Sequence, residues 1–106
     1  MTLSLDTNGG FVSGRKTVTT AGTPVQLVPP DTGWSTDIWI SALAANTKPI
    51  TWGGEDTVDG PVVNRAGAVV PASGEPPLHL EIDDPSKIWI DAEVNGEGVS
   101  FTYKQP

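Results

Sequence analysis

The feature that most constrains the fold is a six-residue segment that occurs twice, beginning at position 37 and again 50 positions later. Residues 37–42 have the sequence DIWISA, and residues 87–92 have the sequence KIWIDA. In both copies Ile, Trp and Ile alternate, which is the period-two pattern of a β-strand with two different faces. The match arises by chance, or it marks a β-unit of ~50 residues that is used twice, as a two-sheet sandwich or jelly roll allows.

The rest of the chain predicts further short strands and no helix. Glycines and prolines, 12 and 10 of 106 residues, interrupt the apolar segments too often for helices of ordinary length. β-branched and apolar residues alternate with polar ones, or form short runs, near residues 16–20, 25–28, 36–43, 50–52, 62–63, 68–70, 78–82, 88–90 and 99–104. We therefore predict an all-β fold, a single-domain β-sandwich or jelly roll of about eight short antiparallel strands.

The domain is predicted to span residues 14–106 and to follow an extended N-terminal arm of residues 1–13. A chain of 106 residues suffices for one domain with a modest core. The arm contains Leu3, Leu5 and Phe11, which a disordered tail would leave in water. Two interpretations stay open: a frayed terminus, or an arm that packs on a neighbouring subunit.

Charge and composition exclude several classes of partner. The formal net charge is −7 and the six basic residues are scattered, so a nucleic acid or an anionic membrane would repel this surface. No apolar stretch approaches the ~20 residues that a membrane-spanning helix needs, and the N-terminus lacks the pattern of a secretion signal. We expect a soluble protein that is made in the cytoplasm.

Few residues could carry chemistry. His79 is the single histidine, and the chain has no cysteine, so a general base or a zinc site would find few partners. The acidic groups at 55–56, 59 and 83–84 lack the spacing of a calcium loop, and no glycine-rich segment has the pattern of a phosphate loop. We predict no catalytic residue, no metal and no cofactor, and we expect that the protein is not an enzyme.

The four tryptophans are the other candidate functional residues: Trp34, Trp39, Trp52 and Trp89. An exposed row of them could stack on sugar rings. Trp39 and Trp89, however, occupy the same place in the duplicated segment, which favours a role in packing or at an interface between subunits.

Several segments resemble small bacteriophage virion proteins. Residues 18–27 (VTTAGTPVQL) are similar to a TTAGTAVQL segment of that family, and residues 42–47 (ALAANT) and 50–53 (ITWG) match the pieces that follow it. The later run from residue 80 to residue 101 is similar to the family's LDIDDLSKIYIDA-VNGEGVSY segment. The resemblance covers residues 17–103, and the chain differs from the pattern in its loop 71–77 and its N-terminal arm.

The resemblance implies a structural protein of the capsid decoration or head fibre type, located on the virion. We expect it to bind the lattice of the major capsid protein and to stabilise it, as a homo-oligomer that is a trimer. The alternatives are a glycan-binding or tail/fibre accessory module, and, less favoured, a hydrolase. The candidate interface residues are Leu3, Leu5, Phe11, Trp34, Trp39, Trp52 and Trp89.

Overall fold

The computed structural model describes residues 10–57 and 66–106. Eight short strands make up the fold: β1 (Phe11–Thr17), β2 (Val25–Gln26), β3 (Asp37–Ala42), β4 (Ile50–Gly53), β5 (Ala68–Val69), β6 (Leu78–Leu80), β7 (Trp89–Ala92) and β8 (Gly98–Lys104). A single 3-10 turn at Pro85–Lys87 precedes β7, and the described residues contain no α-helix. The prediction of an all-β domain of about eight strands is confirmed.

The strands form two antiparallel sheets of four. Sheet I has the order β1-β8-β3-β6, and sheet II has the order β2-β7-β4-β5. The two copies of the repeated segment therefore lie in different sheets, and each copy contributes a central strand, β3 or β7. The duplication predicted that the two copies are equivalent strands, and each copy is indeed second from one edge of its four-stranded sheet.

The core lies between the sheets and is built from the alternating residues of both copies. Ile38 and Ile40 of β3 are fully buried, and so is Ile90 of β7, with Ile88 just before that strand. Other buried members of the cluster are Val18, Leu27, Val28, Ile50, Val70, Ala92, Val99 and Tyr103. Because side chains alternate along a strand, the intervening Trp39 and Trp89 lie on the outer faces of the two sheets.

Strand bounds differ from the predicted ones by a few residues, and the first strand differs most. Strand β1 begins at Phe11, three residues before the predicted domain boundary, because Phe11, Val12 and Ser13 continue the ladder along β8. The strand also ends at Thr17, since the chain turns after Val18. The predicted apolar run at 62–63 lies outside the described residues.

The end of the sandwich away from Phe11 is held by side chains of two loops. Asn46 donates to the carbonyl of Gly98 (2.7 Å) and accepts from its amide (3.2 Å). The carboxylate of Glu97 accepts from Thr47 N, Thr47 Oγ1 and Lys48 N. At Gly98 a Cβ atom would lie within 2.6 Å of the Thr17 Cα, so only glycine allows β1 to approach β8 there.

Candidate functional site

The outer face of sheet I carries an aromatic cluster, which we call the Trp39 stack and define as Phe11, Trp39 and His79. In the strand register Trp39 lies opposite Thr102 on one side and opposite His79 on the other. The Trp39 and His79 rings are parallel within 9° with centroids 5.0 Å apart. Phe11 lies on the edge strand, and its ring centroid is 6.2 Å from that of Trp39 at a tilt of 46°.

The stack is exposed to solvent. The Phe11 side chain is 64% exposed, although it is one of the largest apolar side chains of the protein. His79 is exposed and Trp39 is half-buried. An exposed aromatic group of this kind is typical of a contact surface, because burying such rings removes a large apolar area from water.

His79 is oriented by a carboxylate. Its Nε2 lies 2.8 Å from Oδ1 of Asp37, which is on the neighbouring strand β3. Hydrogen bonds from the His79 ring and from the Thr36 side chain, together with the charges of His79 and Lys104, outweigh desolvation and lower the pKa of Asp37. Asp37 therefore stays ionised at neutral pH and fixes the ring that stacks on Trp39.

A shallow groove runs beside the stack. Its volume is about 280 Å³, and Trp39 and Pro77 are among the residues that line it. Four residues with hydroxyl side chains also line the groove: Ser13, Ser41, Ser100 and Thr102. Ser13 Oγ and Thr102 Oγ1 are hydrogen-bonded to each other at 2.8 Å. The outer face of sheet I thus combines aromatic rings with short hydroxyl side chains.

The structure separates the other candidate residues. Trp34 lies on the loop before β3 and is 68% exposed. Trp89 is half-buried on the outer face of sheet II. Trp52 lies opposite Ile90, so it faces inward and packs against the core rather than at an outer surface. Leu3 and Leu5 lie outside the described residues.

The sequence predicted Phe11 and Trp39 as interface residues, but it did not predict that His79 and Asp37 lie beside them. The sequence gives His79 few partners for catalysis or zinc binding, and the structure places its ring in contact with Trp39 and Asp37. The missing information is the pairing of β3 with β6, since alternation gives the face of a residue within its own strand only.

A larger cavity lies at the other end of the sandwich, between loops 42–49 and 69–75. Its volume is about 470 Å³, and its lining is mostly apolar, with Leu43, Pro49, Val69 and Pro71 among the residues. The sequence does not predict this cavity, because the two loops that line it are distant in the chain. Among the described residues no group of three or more His, Cys, Asp or Glu side chains could hold a metal ion.

Comparisons with known proteins do not assign a family or a function to these features. No protein-family model, curated protein or solved structure matches this chain. The part of the chain that the structure describes contains no helix long and apolar enough to cross a membrane.

Proposed function

We propose that the protein is a non-enzymatic component of a bacteriophage virion, which decorates the capsid surface by binding the lattice of the major capsid protein. Two independent lines of support lead to this proposal: the resemblance of residues 17–103 to small phage virion proteins, and the exposed Trp39 stack. The stack is the observation that carries it, because a cluster of exposed aromatic rings is what the centre of a docking face requires.

The strand order supports the proposal further. Strands pair as β1 with β8, β2 with β7, β3 with β6 and β4 with β5. We infer that the domain is a jelly roll, since this order is that of one long hairpin rolled into two sheets. Viral capsid proteins and lectins both use jelly rolls, so the order agrees with a virion protein without selecting its partner.

In this proposal the protein binds as a homotrimer. Three copies that engage several capsid subunits together gain avidity, because the second and third contacts form at a high effective concentration. A face of modest area on each copy is then sufficient for stable binding. Each trimer would link capsid subunits that otherwise hold together only through their own contacts.

Co-sedimentation with undecorated shells tests the proposal. Purified protein is mixed with shells assembled from the major capsid protein alone, and the pelleted amount is measured against the amount added. We expect saturation at a fixed number of copies per capsid subunit, and a multiple of three copies per binding site. Binding that fails to saturate, or no binding at all, would contradict a decoration role.

The groove beside Trp39 favours one second candidate, a glycan-binding or tail/fibre accessory module. Hydroxyl side chains and an aromatic wall suit a sugar, which offers hydroxyls and an apolar ring face. One face of the Trp39 ring already stacks on His79, however, so only its other face and its edge remain for a sugar. Titration with a panel of glycans, followed by tryptophan fluorescence, distinguishes this candidate from capsid decoration.

A further inference from the structure

Trp34 is an exposed ring on a fixed backbone. Among the described residues it is the most exposed large apolar side chain, at 68%. The following residues hold the loop in place, because Ser35 N donates to Asp83 O at 2.9 Å and Thr36 N donates to Lys104 O at 2.9 Å. A tryptophan presented in this way loses little conformational freedom when a partner covers it.

Trp34 lines a small cleft with two carboxylates. The cleft has a volume of about 200 Å³, and its other lining residues are Pro30, Asp31, Gly33 and Asp84. At ~30 Å³ for each water molecule this is room for about seven waters, comparable to the head and part of the stem of one long side chain. The cleft therefore suits a single side chain rather than an extended ligand.

The two carboxylates are available to a cation. Hydrogen bonds from the Ser86 hydroxyl and amide both end on Oδ1 of Asp84, at 2.7 and 2.9 Å. They lower the pKa of Asp84, so that the group stays ionised at neutral pH. The ammonium group of Lys87 bonds Asp83 instead, at 3.2 Å. Asp31 is exposed and makes no ion pair within the described part of the chain.

We propose that Trp34, Asp31 and Asp84 form a binding site for an arginine side chain of a partner protein. A guanidinium group stacks on the indole face by a cation–π interaction, and its N–H groups bond the carboxylates. The planar guanidinium favours arginine over lysine, since it can stack and donate in one plane. The formal net charge of the protein is −7, so its surface as a whole attracts a basic partner.

This site is distinct from the Trp39 stack and does not depend on the identity of the partner. It lies on the loop between β2 and β3, whereas the stack lies on the strands of sheet I. A failure of capsid binding would leave the arginine site standing, and the reverse also holds.

The test uses N-acetyl-arginine amide as the probe and the 15N-labelled intact protein. The Trp34 indole N–H signal is assigned with the variant Trp34→Phe, and the probe is titrated at constant ionic strength. We expect a saturable shift of the Trp34 signal and no shift of the Trp89 signal. The affinity of the neutral analogue N-acetyl-citrulline amide should be lower by at least about fivefold, because this analogue lacks the positive charge.

Two substitutions make the test specific. Asp31→Asn should weaken probe binding about fivefold, because it removes one charged acceptor from the cleft. Glu55→Gln, an exposed carboxylate outside the cleft, removes the same charge and should leave binding unchanged apart from a small general effect. The proposal is overturned if the Trp34 signal shows no saturable shift, if citrulline binds as well as arginine, or if the two variants bind the probe equally.

Discussion

Strands β3 and β7 have nearly the same sequence and the same position in their sheets, but their outer faces differ. In β7 the outward-facing Asp91 is fully buried, and it accepts hydrogen bonds from the amides of Gly22 (3.0 Å) and Ala92 (2.9 Å). In β3 the equivalent residue, Ser41, is half-buried and lines the open groove.

The protein's own loops account for the difference. On sheet II, Thr51 lies opposite Asp91 and is fully buried as well. Gly67 approaches so closely there that a Cβ atom would lie 2.7 Å from Thr51 Cγ2. On sheet I the equivalent region carries the Trp39 stack, with Phe11 open to solvent. One copy of the repeated strand thus carries a buried carboxylate on the outer face of its sheet, and the other copy carries an exposed aromatic cluster.

The inward faces of the two strands should behave alike. Ile40→Ala and Ile90→Ala each remove a fully buried side chain from the shared core, and we expect each to lower the free energy of unfolding by about 3 kcal/mol. Urea denaturation measures both. A difference larger than ~2 kcal/mol between the two variants would show that the copies are not equivalent on their inner faces.

Substitutions of Asp91 and Ser41, the matched outward-facing residues of β7 and β3, should change the stability by different amounts. Asp91→Ala removes a fully buried carboxylate and, with it, an acceptor for the backbone amides of Gly22 and Ala92, so we expect a loss of about 1–3 kcal/mol. Ser41→Ala, at the matched position of the open face, should change the stability by less than ~0.5 kcal/mol. Equal losses in urea denaturation would contradict the contrast between a covered face and an open one.

The smallest expected effect is a pH-dependent contribution of Asp37 to the free energy of unfolding. The pKa of Asp37 is lower in the folded protein than in the unfolded chain, so its ionised form stabilises the fold above the unfolded pKa. That contribution is lost as the pH falls through the lowered, folded pKa. We expect wild type to be slightly more stable than Asp37→Asn at pH 6, with a difference that shrinks toward zero at strongly acid pH.

Denaturation midpoints at several pH values measure this difference. Asp84 and Glu97 also have lowered pKa values, Asp84 through the Ser86 hydrogen bonds. For Glu97 desolvation raises the pKa, but hydrogen bonds from Thr47 and Lys48 outweigh it. Both groups remain in Asp37→Asn, so the comparison isolates Asp37. A difference that does not change with pH would mean that the ionised form of Asp37 does not stabilise the fold.

The sequence predicted the fold class because alternation is a local property. Ile38, Ile40 and Ile90 were assigned to one face and Trp39 to the other from their spacing alone, and the structure agrees. The burial of Asp91 could not be predicted, since it results from turns distant in the chain that cover sheet II. The contact of His79 with Trp39 was likewise hidden, because it depends on which strands become neighbours.

We propose that the open face of sheet I, rather than the matching face of sheet II, is the docking surface. The direct test compares the double variant Phe11→Ser/Trp39→Ser with Trp89→Ser, its counterpart in the other sheet, after circular dichroism has shown that both are folded.

Co-sedimentation with undecorated shells then gives the affinity of each variant. We predict that the double variant binds at least tenfold more weakly than wild type, about 1.4 kcal/mol, and that Trp89→Ser binds as wild type does. An undiminished affinity of the double variant, or a greater loss for Trp89→Ser, would contradict the account.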